Sequence, residues 1–125
     1  MEVMVLYADR DDNGVWFDQV ANVNVPVYLR NEGRSEIDYA LEYVYRACQN
    51  IYGSWSRGKF VEVDGKMVSN EDYNQRVQVV KPLRSMKVGR DEIELGHRSM
   101  MVGDRAIIDG VIYEVSSFGF KKVEA

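Results

Sequence analysis

Side chains that do chemistry are scarce in this chain. It holds one cysteine, Cys48, and one histidine, His97, so an internal disulfide, a Cys-x-x-Cys zinc pair and a multi-histidine metal site are all excluded. Glycine-rich phosphate motifs are missing as well: neither the nucleotide P-loop nor the dinucleotide fingerprint occurs, and "GRDEIELG" has no following lysine. No apolar run approaches the roughly 18 residues of a membrane-spanning helix, and the amino terminus has no basic segment leading into a long apolar one. The expectation is a cytoplasmic protein with no membrane association. A Cys48–His97 dyad would put its nucleophile in the apolar stripe of a helix, where burial raises a thiol pKa and suppresses attack. Carboxylate pairs such as Asp91 and Glu92 lie in a charged run, without the pocket a general acid needs. The chain therefore reads as a non-enzyme, with no cofactor and no metal.

What is present suits a globular chain. With 46% hydrophobic and 29% charged residues, neither a disordered chain nor a membrane span is indicated. Its 125 residues suffice for one domain, 1–125, that buries its own core. Charge is uneven: residues 1–74 carry 13 acids against 7 bases, and residues 75–125 carry 7 acids against 9 bases. Because the bases of the second half are interleaved with Asp91, Glu92, Glu94 and Asp104, the clustered cations that bind a phosphate backbone do not form. Nucleic acid is an unlikely partner on this count, and the acidic half suits a basic one.

Pattern along the chain points to strands around one helix. Val3, Val5 and Tyr7 alternate with polar or outward residues, "ADRDDNG" intervenes, and "VWF" resumes the apolar pattern, which is a hairpin signature. Ala21, Val23, Val25, Val27 and Leu29 share one phase of a further strand that Pro26 confines to an edge or interrupts. Ser35, with Asp38 three residues on, marks a helix start. The helix is expected over about 36–52, stopped by Gly53, with Ile37, Ala40, Leu41, Val44, Ala47, Cys48 and Ile51 as its core stripe and Glu42 and Arg46 paired outside. Asp64-Gly65 and Asp109-Gly110 each sit between apolar runs and predict tight hairpins. "QRVQVVKPL" reads as a strand ended by Pro82, and "DEIELG" as a short one. "RSMKVG" at 84–89 recurs as "RSMMVG" at 98–103, suggesting two similarly built strand entries. The fold class expected is α+β: a mainly antiparallel sheet, one principal amphipathic helix packed on it, and carboxy-terminal hairpins.

The site candidates are few. "DRDDNG" sets Asp9, Asp11, Asn13 and Gly14 as in the first half of an EF-hand loop, but Val20 stands where the bidentate glutamate belongs and both flanks are β-like. A turn is the better reading, since Asx residues and glycine are what tight turns select. A weak cation site using Asp18 is the alternative. Asp9, Asp11 and Asp12, with the tyrosine face of Tyr39 and Tyr43, are the expected partner-binding surface, because charge steers encounter and aromatic anchors hold it. The same tyrosines also fit the rim of a core. "IYGSWSRGKF" interleaves aromatics and bases, so Trp55 and Arg57 form a candidate contact for a partner or a single strand, against the plainer reading of a loop whose Trp55 covers the core edge.

"ALEYVYRACQNIYGSW" and "HRSMMVGDRAIIDGVIYEVSSFGFKKV" together resemble a family of small proteins of bacteriophages and mobile elements, with similar carboxy-terminal modules in YodL-like and antirestriction-associated proteins. The matching positions are Gln49, Asn50, Trp55, Arg98, Ser99, Val102, Gly103, Asp104, Asp109, Gly110, Tyr113, Gly119 and Phe120. Residues 1–35 and 61–87 fall outside the match. The resemblance implies an accessory protein that binds a host protein, as an inhibitor of a defence system of the anti-restriction or anti-CRISPR type or as an adaptor. It also implies fold-keeping jobs: Gly103 and Asp104 in the turn before the last hairpin, Phe118 and Phe120 on one face of the last strand. The alternative is a nucleic-acid-associated protein using Trp55, Arg57 and the bases of 84–105.

Overall fold

The computed structural model describes residues 1–28, 35–80, 85–88, 91–94 and 96–124, with backbone alone for 85–88 and 91–94. Leu29, Pro82 and the first residue of the 84–89 repeat, Arg84, lie outside the described residues. Strands β1 (Glu2–Asp11) and β2 (Gly14–Asn24) form one long hairpin, followed by helix α1 (Glu36–Ala47). Then come β3 (Phe60–Val63), β4 (Lys66–Ser69), β5 (Val77–Val79), β6 (Ser85–Val88), β7 (Asp91–Glu94), β8 (Arg105–Ile108), β9 (Val111–Ser116) and β10 (Gly119–Lys122). Six of these make a sheet of order β10-β9-β8-β1-β2-β5, with every pairing antiparallel, while β3–β4 and β6–β7 stand as separate hairpins. The class is α+β, as the pattern of elements predicts.

Alternation explains the buried face of the sheet. Val3, Val5 and Tyr7 of β1 point inward beside Ala21 and Val23 of β2 and Ala106 and Ile108 of β8. Between Val5 and Leu6 the register shifts, so that Val5 faces Ala21 while Leu6 faces Gln19. The extra residue, Val20, makes a bulge that lets Val20 and Ala21 both enter the core. Pro26 does end this strand, which stops at Asn24, and Val27, expected on the buried phase, is exposed.

Helix α1 starts as its sequence indicates, with the Ser35 hydroxyl accepting from the Asp38 amide at 3.0 Å. Ala40, Leu41, Val44 and Cys48 are buried, and Arg46 meets Glu42 at 2.8 Å on the outside. Its end comes earlier than the periodicity predicts. The helix stops at Ala47 with Cys48 as its cap, and Ile51, expected in the core stripe, is 65% exposed. Tertiary hydrogen bonds win over local propensity here: Met100 N donates to Cys48 O, and Asn50 N to the Ser99 hydroxyl. Gly53 has another role than stopping the helix, because a Cβ there would collide with the Asn70 amide oxygen.

Both Asp-Gly predictions correspond to observed hairpins. Asp64 and Gly65 have φ of 51° and 79°, and Asp109 and Gly110 have 49° and 80°, the positive pair of a type I′ turn. The internal repeat does not give two similar strand entries. Its first copy contributes β6, whereas Arg98–Gly103 is a loop that ends in a turn before β8. Phe118 lies in the β9–β10 turn, fully exposed, and only Phe120 packs on the core. They do not share a strand face.

Candidate functional site

The carboxy-terminal motif is built around one buried carboxylate. Asp104 is fully buried, and its Oδ1 accepts from Ala8 N at 2.9 Å and Arg98 Nη2 at 2.8 Å. Its Oδ2 accepts from Arg98 Nη1 at 2.6 Å and Met101 N at 2.8 Å. Two amides and a bidentate guanidinium thus satisfy a charge that would otherwise be costly to bury. The same guanidinium reaches Ala8 O and Ser99 O and lies 4.3 Å from the Tyr7 ring centre. The hydrogen bond to Asp104 holds the Arg98 pKa above its usual value. Arg98 O accepts from the Tyr7 hydroxyl at 2.9 Å and from Trp55 Nε1 at 2.8 Å. Arg98, Ser99, Gly103 and Asp104 therefore clamp β1 to the loop before β8, and Gly103, at φ 98°, supplies the left-handed residue of the turn. No oxygen of Asp104 is left for a substrate.

Trp55 belongs to this buried cluster. Its indole is 2% exposed, stacks on His97 at 5.8 Å and meets the Tyr7 ring edge-on at 5.9 Å. This corrects its place among the partner-binding candidates: an indole so enclosed offers no stacking face to a partner or a nucleobase. Arg57 sits beside it, half-buried. Cys48 is also enclosed, and burial, helped by the Asp104 carboxylate, pushes its thiol up to about 12. Burial likewise raises the Tyr7 phenol.

Two residues without a motif of their own, Asp72 and Asn70, organise the helix exit. Asp72 Oδ2 accepts from the successive amides of Ile51, Tyr52 and Gly53 at 2.6, 2.9 and 2.8 Å. Asn70, nearly buried, takes the Ser54 amide on its oxygen and gives its nitrogen to the carbonyls of Ser54, Arg57 and Gly58. Asn70 N also donates to Lys59 O at 2.8 Å, so this one side chain and its backbone close the base of the β3–β4 hairpin. The only sequence signal was a polar "SNED" run following an apolar strand.

Above that base, every residue of the hairpin strands except the partly buried Val61 is exposed. Register puts Phe60, Glu62, Met67 and Ser69 on one face and Val61, Val63, Lys66 and Val68 on the other. Apolar residues occupy both faces, yet Phe60 is 56%, Val63 50% and Met67 66% exposed.

The acidic candidates lie on a different projection. Beyond Leu6, where β8 pairing ends, β1 and β2 continue as a two-stranded arm. Asp9, Asp11 and Asp12 are exposed at its end, with Val15 and Trp16 also in solvent and Trp16 opposite Asp9. Asp11 Oδ1 accepts from Asn13 N at 2.7 Å, the Asx turn expected of a hairpin tip. Among the described residues no cluster of three or more His, Cys, Asp or Glu is placed to hold a metal ion. Tyr39 and Tyr43 are elsewhere: they pack on the core rim beside Tyr28, near Met1, and Tyr43 accepts from Asn74 Nδ2 at 3.0 Å. Since β1 runs ten residues from that end to the arm tip, the two expected surfaces are about 30 Å apart. They do not form one site.

A third surface is a groove of about 590 Å³ between α1 and the β9–β10 turn. Leu41 and Val115 are buried at its floor, while Tyr45, Val102 and Phe118 stand exposed around it. Among the described residues no helix is long and apolar enough to cross a membrane. Comparison with protein-family models, with curated proteins and with solved structures gives no match.

Proposed function

We propose that this chain is a non-enzymatic accessory protein, of the kind phages and mobile elements carry, that acts in the host cytoplasm by binding a host protein as inhibitor or adaptor. One observation carries the reading: the β3–β4 hairpin holds Phe60, Val63, Met67 and Val68 in solvent on a base locked by Asn70. An isolated two-stranded hairpin is marginal in water, so apolar residues on both of its faces suit a ribbon that is completed by another protein. Patches of this type mark interaction sites. The chemistry-bearing groups support the same view, because Asp104, Arg98, Tyr7 and Trp55 are occupied with one another. The acidic arm supplies a complementary feature, favouring a partner with a basic surface.

The test is site-specific cross-linking. A photoreactive residue at Met67 should capture a discrete protein from host lysate, and the adduct should vanish in a Phe60→Ser, Met67→Ser variant that keeps its fold. Capture of nothing, or binding to a mixed oligonucleotide with a steep salt dependence, would remove the proposal in favour of a nucleic-acid partner or none.

A further inference from the structure

We infer that the groove between α1 and β10 is a docking site for an extended segment of a partner protein that carries a large apolar side chain and, close by, a lysine or arginine. The inference deepens the protein-binding reading and rests on it. Three observations converge on this place. First, β10 is the last strand of the sheet, so its outer backbone edge is unpaired among the described strands and open to strand addition. Second, α1 does not cover the sheet as far as this edge: the groove opens between Leu41 and Tyr45 of the helix and Phe118 and Phe120 of the hairpin. Phe120 faces this side, edge-on to Tyr45 at 6.4 Å. A strand added to β10 would turn alternate side chains toward the same side and could seat one of them in the groove. Third, among the described residues the charged side chains lining the groove are acidic, Asp38 and Glu42. Glu42 is shared with Arg46 on the outside of the helix, whereas the Asp38 carboxylate has no ion-pair partner among the described residues.

Charge also selects the occupant. A second copy of this chain pairing β10 with β10 about Lys121 and Lys122 would set these ammonium groups beside their own equivalents. A heterologous segment avoids this repulsion. Lys121 does not obstruct it, since its ammonium group is directed to Glu114 at 3.7 Å across the opposite face. Phe118, fully exposed in the turn, is placed to close over a side chain in the groove.

A random nine-residue peptide library displayed on phage and panned against the purified chain tests this directly, followed by amide chemical-shift mapping and anisotropy titration of the enriched peptides. The expected result is enrichment of a large apolar residue near a lysine or arginine, with shifts at Tyr45 and 118–122. Phe118→Ala and Glu42→Lys should each weaken binding about tenfold, with circular dichroism confirming the fold. Phe118→Ala removes a side chain that packs on nothing, so its loss of binding could not be attributed to unfolding. The inference is overturned if no such peptide is enriched, if the shifts fall elsewhere, or if both variants bind as the parent does. It is also overturned if the chain is a dimer whose β10 amides shift with its own concentration. Should cross-linking through Met67 succeed while panning fails, the groove alone is refuted; should the reverse occur, the hairpin is refuted as the contact and the groove stands.

Discussion

Two hairpins in this molecule share the same turn and differ in everything around it. β8–β9 and β3–β4 both close with Asp-Gly, and their turn dihedrals agree within 2° in φ at each position. In β8–β9 the inward residues Ala106 and Ile108 are buried beneath α1, and β1 pairs with the outer edge of β8. In β3–β4 only Val61 is partly buried, and neither edge is paired among the described strands. Turn chemistry determines that a hairpin forms, because only certain residues accept positive φ. Whether that hairpin becomes core or remains a projection depends on the elements that meet it, and those contacts are long-range in sequence.

The largest contrast is expected in apolar truncation. Ile108→Ala should lower the stability by about 3 kcal/mol through lost burial and a residual cavity. Val63→Ala, at the matching end of the other hairpin, should change it by less than about 0.5 kcal/mol. Urea denaturation of both variants measures this, and equal effects would mean that β3–β4 is packed in solution. Next in size is Asn70→Ala, which leaves the carbonyls of Ser54, Arg57 and Gly58 without their donor. A loss of about 2 kcal/mol is expected, concentrated locally: amide exchange over 60–69 should accelerate far more than exchange in β1 or β8.

An alkaline titration probes the sheet side alone. Cys48 lies beneath the core, and its folded-state pKa is raised from 9.0 to about 12. The neutral thiol is the form that folding favours, so the folded chain holds its proton where the unfolded chain has lost it. The associated stability is complete below pH 9 and declines as pH rises from 9 toward 12, by roughly 1 kcal/mol per pH unit. Tyr7 adds to the decline above pH 10. Urea midpoints taken between pH 8 and 11 should fall accordingly, and a Cys48→Ala variant, less stable at pH 8, should fall more gently. A flat profile for the parent chain would show that Cys48 is not enclosed.

The elements most legible in the sequence were those whose signal is local. Ser35 with Asp38, Asp64-Gly65, Asp109-Gly110 and the Asx turn at Asp11 were readable because each depends on a few neighbouring residues. The buried phase of Val3, Val5, Ala21 and Val23 was readable from alternation, although the Val20 bulge was not, since a bulge is a mismatch between two strands. The helix end has no local signal, because periodicity continues to Ile51 while the hydrogen bonds that stop the helix come from Ser99, Met100 and Asp72. The candidate surface fared in the same way. Asp9, Asp11 and Asp12 are exposed as expected, but Trp55 is enclosed by His97 and Tyr7, partners more than 40 residues distant on either side. Exposure of Phe60 and Met67 had no sequence marker, because an apolar strand looks the same whether or not a layer covers it.

The smallest effect is the most discriminating. Gly65 and Gly110 have φ of 79° and 80°, and a Cβ at either would meet no atom within 4 Å. Alanine at each position therefore adds the same backbone strain, about 1 kcal/mol, and nothing else. In β8–β9 that strain should appear in full as a loss of global stability, because the hairpin cannot open without breaking the sheet. In β3–β4 the hairpin can open alone, so Gly65→Ala should leave the urea midpoint nearly unchanged while amide exchange at 60–69 rises about fivefold. Equal midpoint losses for the two variants would mean that β3–β4 unfolds only with the rest of the chain, and a ribbon held that firmly in solvent would need a contact that is absent among the described residues.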